Sequence, residues 1–144
     1  MKNKIKVIIM VAVCLLGVLY FRYNKRENRL LNIFNENREY LDSVIENYIE
    51  NGEIDFRETD GISSVNLWKS ENTIIEFMTD STGIAPSGKY YGFYYSVDGS
   101  PAAFQNTDTE LIYNENGWYE WSSNGNGGKT QNIDGNWWTF EAHF

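Results

Sequence analysis

The sequence predicts an α+β fold: an N-terminal transmembrane helix that continues into an amphipathic helix, packed on a small antiparallel β-sheet meander of about six strands. Three observations carry this expectation. Residues 7–21 (VIIMVAVCLLGVLYF) hold no charge and no strongly polar group. Apolar residues then recur at helical spacing as far as Ile49. Beyond Gly52 the period falls to two, and short apolar runs alternate with Gly, Asn and Asp turn signals. The expected organisation is a short basic N-terminal tail (1–6), a transmembrane anchor (7–23), a juxtamembrane amphipathic helix (24–52) and an antiparallel sheet domain with aromatic strands (53–144).

Lys2, Lys4 and Lys6 precede the apolar run, and Arg22, Lys25, Arg26 and Arg29 follow it. A bilayer core needs about 20 apolar helical residues, with about 17 as the lower limit. Ile5, with Lys6 snorkelling its ammonium to the headgroups, brings the run to that limit. Tyr20, Phe21 and Tyr23 fall where an interfacial aromatic belt would lie. A cleaved signal peptide needs small residues after the run, but the chain reads Leu19-Tyr20-Phe21-Arg22. Cys14 follows Val13 rather than a small residue, so it reads as a membrane-embedded hydrophobe and not as a lipidation site. These features predict a single-pass signal-anchor in the cell membrane, with the lipid bilayer as partner through residues 7–21. The short basic tail places the N-terminus in the cytoplasm and the C-terminal domain outside it.

Charge divides sharply. Residues 1–29 carry net +6, and residues 30–144 carry net −14, with five Lys/Arg against nineteen Asp/Glu. An acidic domain is repelled by phosphate backbones, which excludes nucleic acid as a partner. The single cysteine excludes a disulfide framework and a thiolate metal site in the sheet domain. The seventeen asparagines, with many Ile and Lys, suggest an AT-rich genome, and the anchored extracytoplasmic domain is expected in a bacterial cell envelope.

Leu30, Ile33, Phe34, Leu41, Val44, Ile45, Tyr48 and Ile49 form the helical stripe, opposite Glu36, Glu39, Asp42, Glu46 and Glu50. Gly52 supplies the C-cap, and no proline interrupts residues 1–51, so anchor and stripe can run as one helix. Residues 65–68 and 73–78 read as strands around the turn Ser70-Glu71-Asn72. Residues 82–89, with Gly83, Pro86 and Gly88, read as a loop. Residues 90–97 form a strand closed by Asp98-Gly99, and 101–107 are irregular. Residues 111–113 and 118–122 flank a hairpin turn, 124–128 form a flexible tip, and 130–133 and 137–144 flank Asp134-Gly135.

Alternation assigns faces within each strand. Trp138, Phe140, Ala142 and Phe144 oppose Trp137, Thr139, Glu141 and His143; Tyr119 and Trp121 oppose Trp118, Glu120 and Ser122. Tyr91, Phe93, Tyr95 and Val97 oppose Tyr90, Gly92, Tyr94 and Ser96. Tyr90, Tyr94, Trp118 and Trp137, with Glu120, Glu141 and His143, are therefore the candidate ligand face. Rings there would stack on a glycan or peptide while the polar groups supply hydrogen bonds. On this reading Trp137→Ala abolishes capture without unfolding the domain. The competing reading gives the rings to cross-strand packing.

Catalytic chemistry finds little supply. The only histidine, His143, is next to last in the sequence, so a Ser-His-Asp or Cys-His site has no natural place. Asp108/Glu110 and Glu120/Glu141 could pair as glycosidase acids, but so acidic a domain makes such pairs by chance. No phosphate loop or dinucleotide fingerprint occurs, and no cofactor or metal is expected. The basic tip, apolar helix and sheet domain resemble type IV pilins in layout. Residues 7–21 hold no Glu, and their only glycine, Gly17, lies deep inside the run, so the resemblance implies no shared function. The expected function is a non-enzymatic extracytoplasmic binding or accessory module with a protein or glycan partner on the aromatic face. The alternative is a membrane-tethered immunity or inhibitor protein that neutralises a basic toxin or enzyme.

Overall fold

The structure, a computed structural model, describes residues 2–84 and 87–144, with the side chains of 1–8, 19–24 and 84–86 outside the description. The chain divides into two compact units, Met1–Asn32 and Ile33–Phe144. Helix α1 runs Lys2–Glu36, and α2 runs Arg38–Asn51. Among the described residues no helix is long and apolar enough to cross a membrane. This overturns the transmembrane and signal-anchor expectation for residues 7–23 and the cell-membrane location drawn from it. The physical reason is length. Residues 7–21 rise about 22 Å as helix, short of the roughly 30 Å of hydrocarbon, and Lys6 and Arg22 bound the run. The interfacial belt expected of Tyr20, Phe21 and Tyr23 lies outside the described side chains. Residues 9–18, Cys14 among them, are exposed.

The expectation of one continuous helix is also corrected, because Asn37 separates α1 from α2. Its backbone sits at φ −105°, ψ 6°, and its side-chain amide donates to the Ile33 carbonyl at 2.8 Å. The Asn37 backbone N–H also donates to the Ile33 carbonyl at 3.2 Å, and its own carbonyl receives the Leu41 N–H at 2.9 Å, so the break is one of backbone angle at Asn37 and the hydrogen bonds run through it. α2 stops at Gly52, whose φ of 73° forms the left-handed cap and whose N–H donates to Tyr48 O.

Seven strands form one antiparallel sheet: β1 Ser64–Lys69, β2 Thr73–Ile84, β3 Ser87–Ser96, β4 Ile112–Tyr113, β5 Tyr119–Ser123, β6 Asn126–Asp134 and β7 Trp137–His143. Their order is β1-β2-β3-β7-β6-β5-β4, so the expected single meander of about six strands is corrected. Two meanders join through β3 and β7, and the connection 97–111 crosses the sheet to its far edge. Two expected loops are strand. Residues 82–84 and 87–89 pair across a hairpin, Gly83 opposite Gly88; Pro86, part of the loop reading, lies outside the described residues. The tip 124–128 reduces to a two-residue turn, Asn124-Gly125, with φ of 52° and 84°. Asn-Gly with both residues at positive φ is the turn that matches strand twist, so β6 begins directly after it.

The sheet buries both faces. On one, Leu41, Val44 and Ile45 of α2 and Phe34 cover Ile75, Phe77, Phe93 and Trp137. Trp137 meets Phe34 edge-on at 5.3 Å, and its indole N–H donates to Asp42 at 3.1 Å. Arg38 ties this end down, donating to Asp42 and Asp134 at 2.8 and 3.1 Å. On the other face, Ala102, Ala103 and Phe104 lie over Tyr94, Trp138 and Phe140. The connection is pinned at its start by Asp98, whose carboxylate accepts from the Ser100 hydroxyl and backbone N–H; these bonds hold its pKa below the ordinary carboxylate value.

Glu76 is buried beneath this connection, 2% exposed, and accepts from the Gln105 N–H at 3.1 Å. Its other oxygen has no partner, and neither has the Trp68 indole N–H. Burial pushes the carboxyl above its ordinary 4.5; Gln105, then Trp68 and Asn66, which lie near without closing a hydrogen bond, draw it part of the way back. A folded pKa above the unfolded one stabilises fully below the unfolded value, and that contribution is lost as pH rises through the folded pKa. Glu76→Gln, uncharged and isosteric, removes this dependence. We expect its advantage over the native chain in thermal melts to widen as pH is raised from about 4.5 towards neutrality. Parallel melting-pH curves for the two chains would contradict the burial of an ionisable carboxyl here.

Candidate functional site

The helices cover only part of their face. Beyond Thr139, the same face continues over β4, β5, β6 and the end of β7, where Ile112, Glu120, Ser122 and His143 are exposed and Lys129 and Glu141 half-buried. Register brings its residues into rows: Ile112↔Glu120↔Lys129↔Glu141 in one, Ser122↔Gly127↔His143 in the next. These residues line a cleft of about 420 Å³, together with Trp121 and Gly128.

Each polar group is held from a strand or a tight turn. Asn114 opens the β4–β5 turn, where its Oδ1 accepts from the N–H groups of Asn116 and Trp118 at 3.0 and 3.2 Å. Its Nδ2 donates to Glu120 at 2.6 Å, so the turn also orients that carboxylate. Lys129, on the central strand of the row, lies 3.8 Å from Glu141 and 4.3 Å from the centre of the Trp118 ring. The floor is low because a Cβ at Gly127 would sit 2.9 Å from the His143 ring. The imidazole therefore lies directly on strand backbone.

The sequence-predicted ligand face is split. Trp118, Glu120, Glu141 and His143 come together here. Tyr90 and Tyr94 lie on the opposite face, because β3 pairs Tyr94 with Trp138 and Tyr95 with Trp137. Tyr90 stacks on Phe104 at 5.2 Å. Tyr94 is buried, with its hydroxyl shared with Thr130 at 2.7 Å and receiving the Ala102 N–H at 2.8 Å; burial raises its pKa. Trp137 shares the face of the cleft but is buried beneath the helices. Alternation fixes faces within a strand; only register fixes them between strands, and β3–β7 pairing joins segments far apart in sequence.

Ile112, Trp121, Ser122, Gly127, Gly128 and Lys129 are the lining residues that sequence reasoning missed as site members. The signal for Lys129 was the Asn124-Gly125 turn, which places it opposite Glu120 once β6 starts at Asn126. Among the described residues, no His, Cys, Asp or Glu cluster could hold a metal ion. Chemically, the cleft offers two carboxylates and one indole face around a cation, with an apolar lip at Ile112. Comparison of the chain with family models, with curated proteins and with solved structures finds no match.

Proposed function

We propose that this protein is a binding module that captures a cationic group of a partner protein in the β4–β7 cleft. The observation that carries this reading is the row Glu120–Lys129–Glu141, in which an internal ammonium already lies against a carboxylate and the Trp118 ring. A site that accommodates one cation between an indole and a carboxylate, with a second carboxylate opposite in register, has the chemistry to receive another through cation–π and charge-assisted contacts. The charge of residues 30–144, net −14, steers a basic partner towards it. An inhibitor or immunity protein that neutralises a basic toxin or enzyme takes this form. Glycan stacking loses support, because Tyr94 and Trp137 are buried and Trp118 is left without a second ring from the expected set.

The test is titration of the full chain with an Arg-rich peptide. The Glu120→Gln/Glu141→Gln double variant should bind about tenfold more weakly and with a shallower salt dependence. The pair Glu53→Gln/Asp60→Asn, exposed acids outside the cleft, should bind as the native chain does. Equal losses in the two double variants would mean that diffuse charge, not the cleft, attracts the peptide.

A further inference from the structure

We propose that the cationic group arrives on an extended segment of the partner, which pairs as an added strand with the free edge of β4. This rests on the reading of the cleft given above and adds the form of the ligand. The sheet ends at β4, which pairs only with β5. Asn114 donates its backbone N–H to Trp118 O at 2.8 Å, so the backbone of Asn114 faces β5. Antiparallel ladders alternate, and the N–H and C=O of Tyr113 therefore point away from the sheet. Among the described residues no backbone partner meets them.

Short length is the main guard this edge has. Sheet edges are protected by Lys, Pro, bulges or a covering loop, and by short length. β4 is short, but it carries Ile112 and Tyr113, which are 66% and 61% exposed. They stand on opposite faces: Ile112 at the cleft lip, Tyr113 against Tyr119 at 5.0 Å. An added strand covers both while it fills the open backbone positions.

Charge selects the occupant. Asp108 and Glu110 before the edge and Glu115 after it are exposed. With Glu120 and Glu141 they make an acidic surround that contains one lysine, Lys129, itself paired with Glu141. A second copy of this acidic sheet would be repelled. In an added strand, the residue opposite Ile112 joins the row Ile112–Glu120–Lys129–Glu141, about 10 Å from the Glu120 backbone at ordinary strand spacing. Ile112 is the only side chain between them in that row, and a Lys or Arg there reaches over it to the Glu120 carboxylate. The segment recognised is thus a β-prone stretch with basic residues at alternate positions.

The probe is a peptide alternating Lys and Val, titrated into the full chain, with two comparisons. One is the same peptide N-methylated at the residues that would bond to Tyr113. The other is Tyr113→Pro, which removes an outward N–H that the fold does not use, a place where edge strands tolerate proline. Both should weaken binding about tenfold or more while the thermal melt of Tyr113→Pro stays near native. If Tyr113→Pro fails to fold, the methylated peptide on the native chain decides alone. Equal binding of methylated and parent peptides, with loss in Glu120→Gln, would overturn the strand pairing and leave cation capture standing. No binding of the parent peptide would overturn both.

Discussion

Trp137→Ala should destabilise the domain by about 3–5 kcal/mol, the range for truncating a buried aromatic. The ring is 2% exposed and touches Phe34, Phe77, Phe93 and Tyr95 at centroid distances of 5.3–6.2 Å. It is the point at which α2, β3 and β7 are joined. The substitution leaves a cavity that rigid neighbours cannot close, and it strips Asp42 of the indole N–H. Thermal or urea unfolding checks this, with a fall in Tm of more than about 10 °C. A loss near 1 kcal/mol would mean that the site collapses readily or that the helix is loosely seated. This outcome replaces the expectation, drawn from alternation alone, that Trp137→Ala removes capture and leaves the fold intact.

Gly92→Ala should cost about 3 kcal/mol, although it adds one methyl group. A Cβ at this position would collide with the Phe77 carbonyl and come within 2.8 Å of the Phe140 ring. The crowding comes from the irregular register between Met78 and Asp80, where β2 carries an extra residue against β3. Thr79 anchors that bulge by donating its hydroxyl to Tyr91 O at 3.0 Å. Backbone cannot yield as the end of a flexible side chain can. Gly17→Ala, inside α1 with nothing within 4 Å, should fold at or slightly above native stability, because Ala is the better helix former, and serves as the control in the same unfolding assay. Equal stability of the two variants would contradict the bulge as described.

The local signals in the sequence carried far. The stripe Phe34, Leu41, Val44 and Ile45 is the helical half of the core. Alternation in the last strand correctly separated Trp138, Phe140 and Ala142 from Trp137, Thr139, Glu141 and His143. Gly52, Gly99, Gly117 and Gly135 do stand at positive φ in caps and turns. What stayed hidden was non-local. No periodicity tells β3 that its neighbour is β7, and this pairing decides that Tyr90 and Tyr94 lie away from Trp118. Burial on both faces was also underestimated. Residues 101–107 read as irregular, yet Ala102, Ala103 and Phe104 among them form the lid that claims Tyr94 and Trp138 for packing. The apolar run 7–21 gave a strong compositional signal, but among the described residues no helix is long and apolar enough to cross a membrane.

The reading of the cleft can be tested residue by residue through the indole and backbone N–H signals of the labelled full chain during titration with the Arg-rich peptide. Cation capture at β4–β7 predicts that Trp118, Glu120, Lys129 and Glu141 shift progressively and saturate together. The Trp137 indole, bonded to Asp42 beneath α2, should stay in place. Shifts centred on the 97–111 connection or along α2, with Trp118 unmoved, would contradict the proposed site.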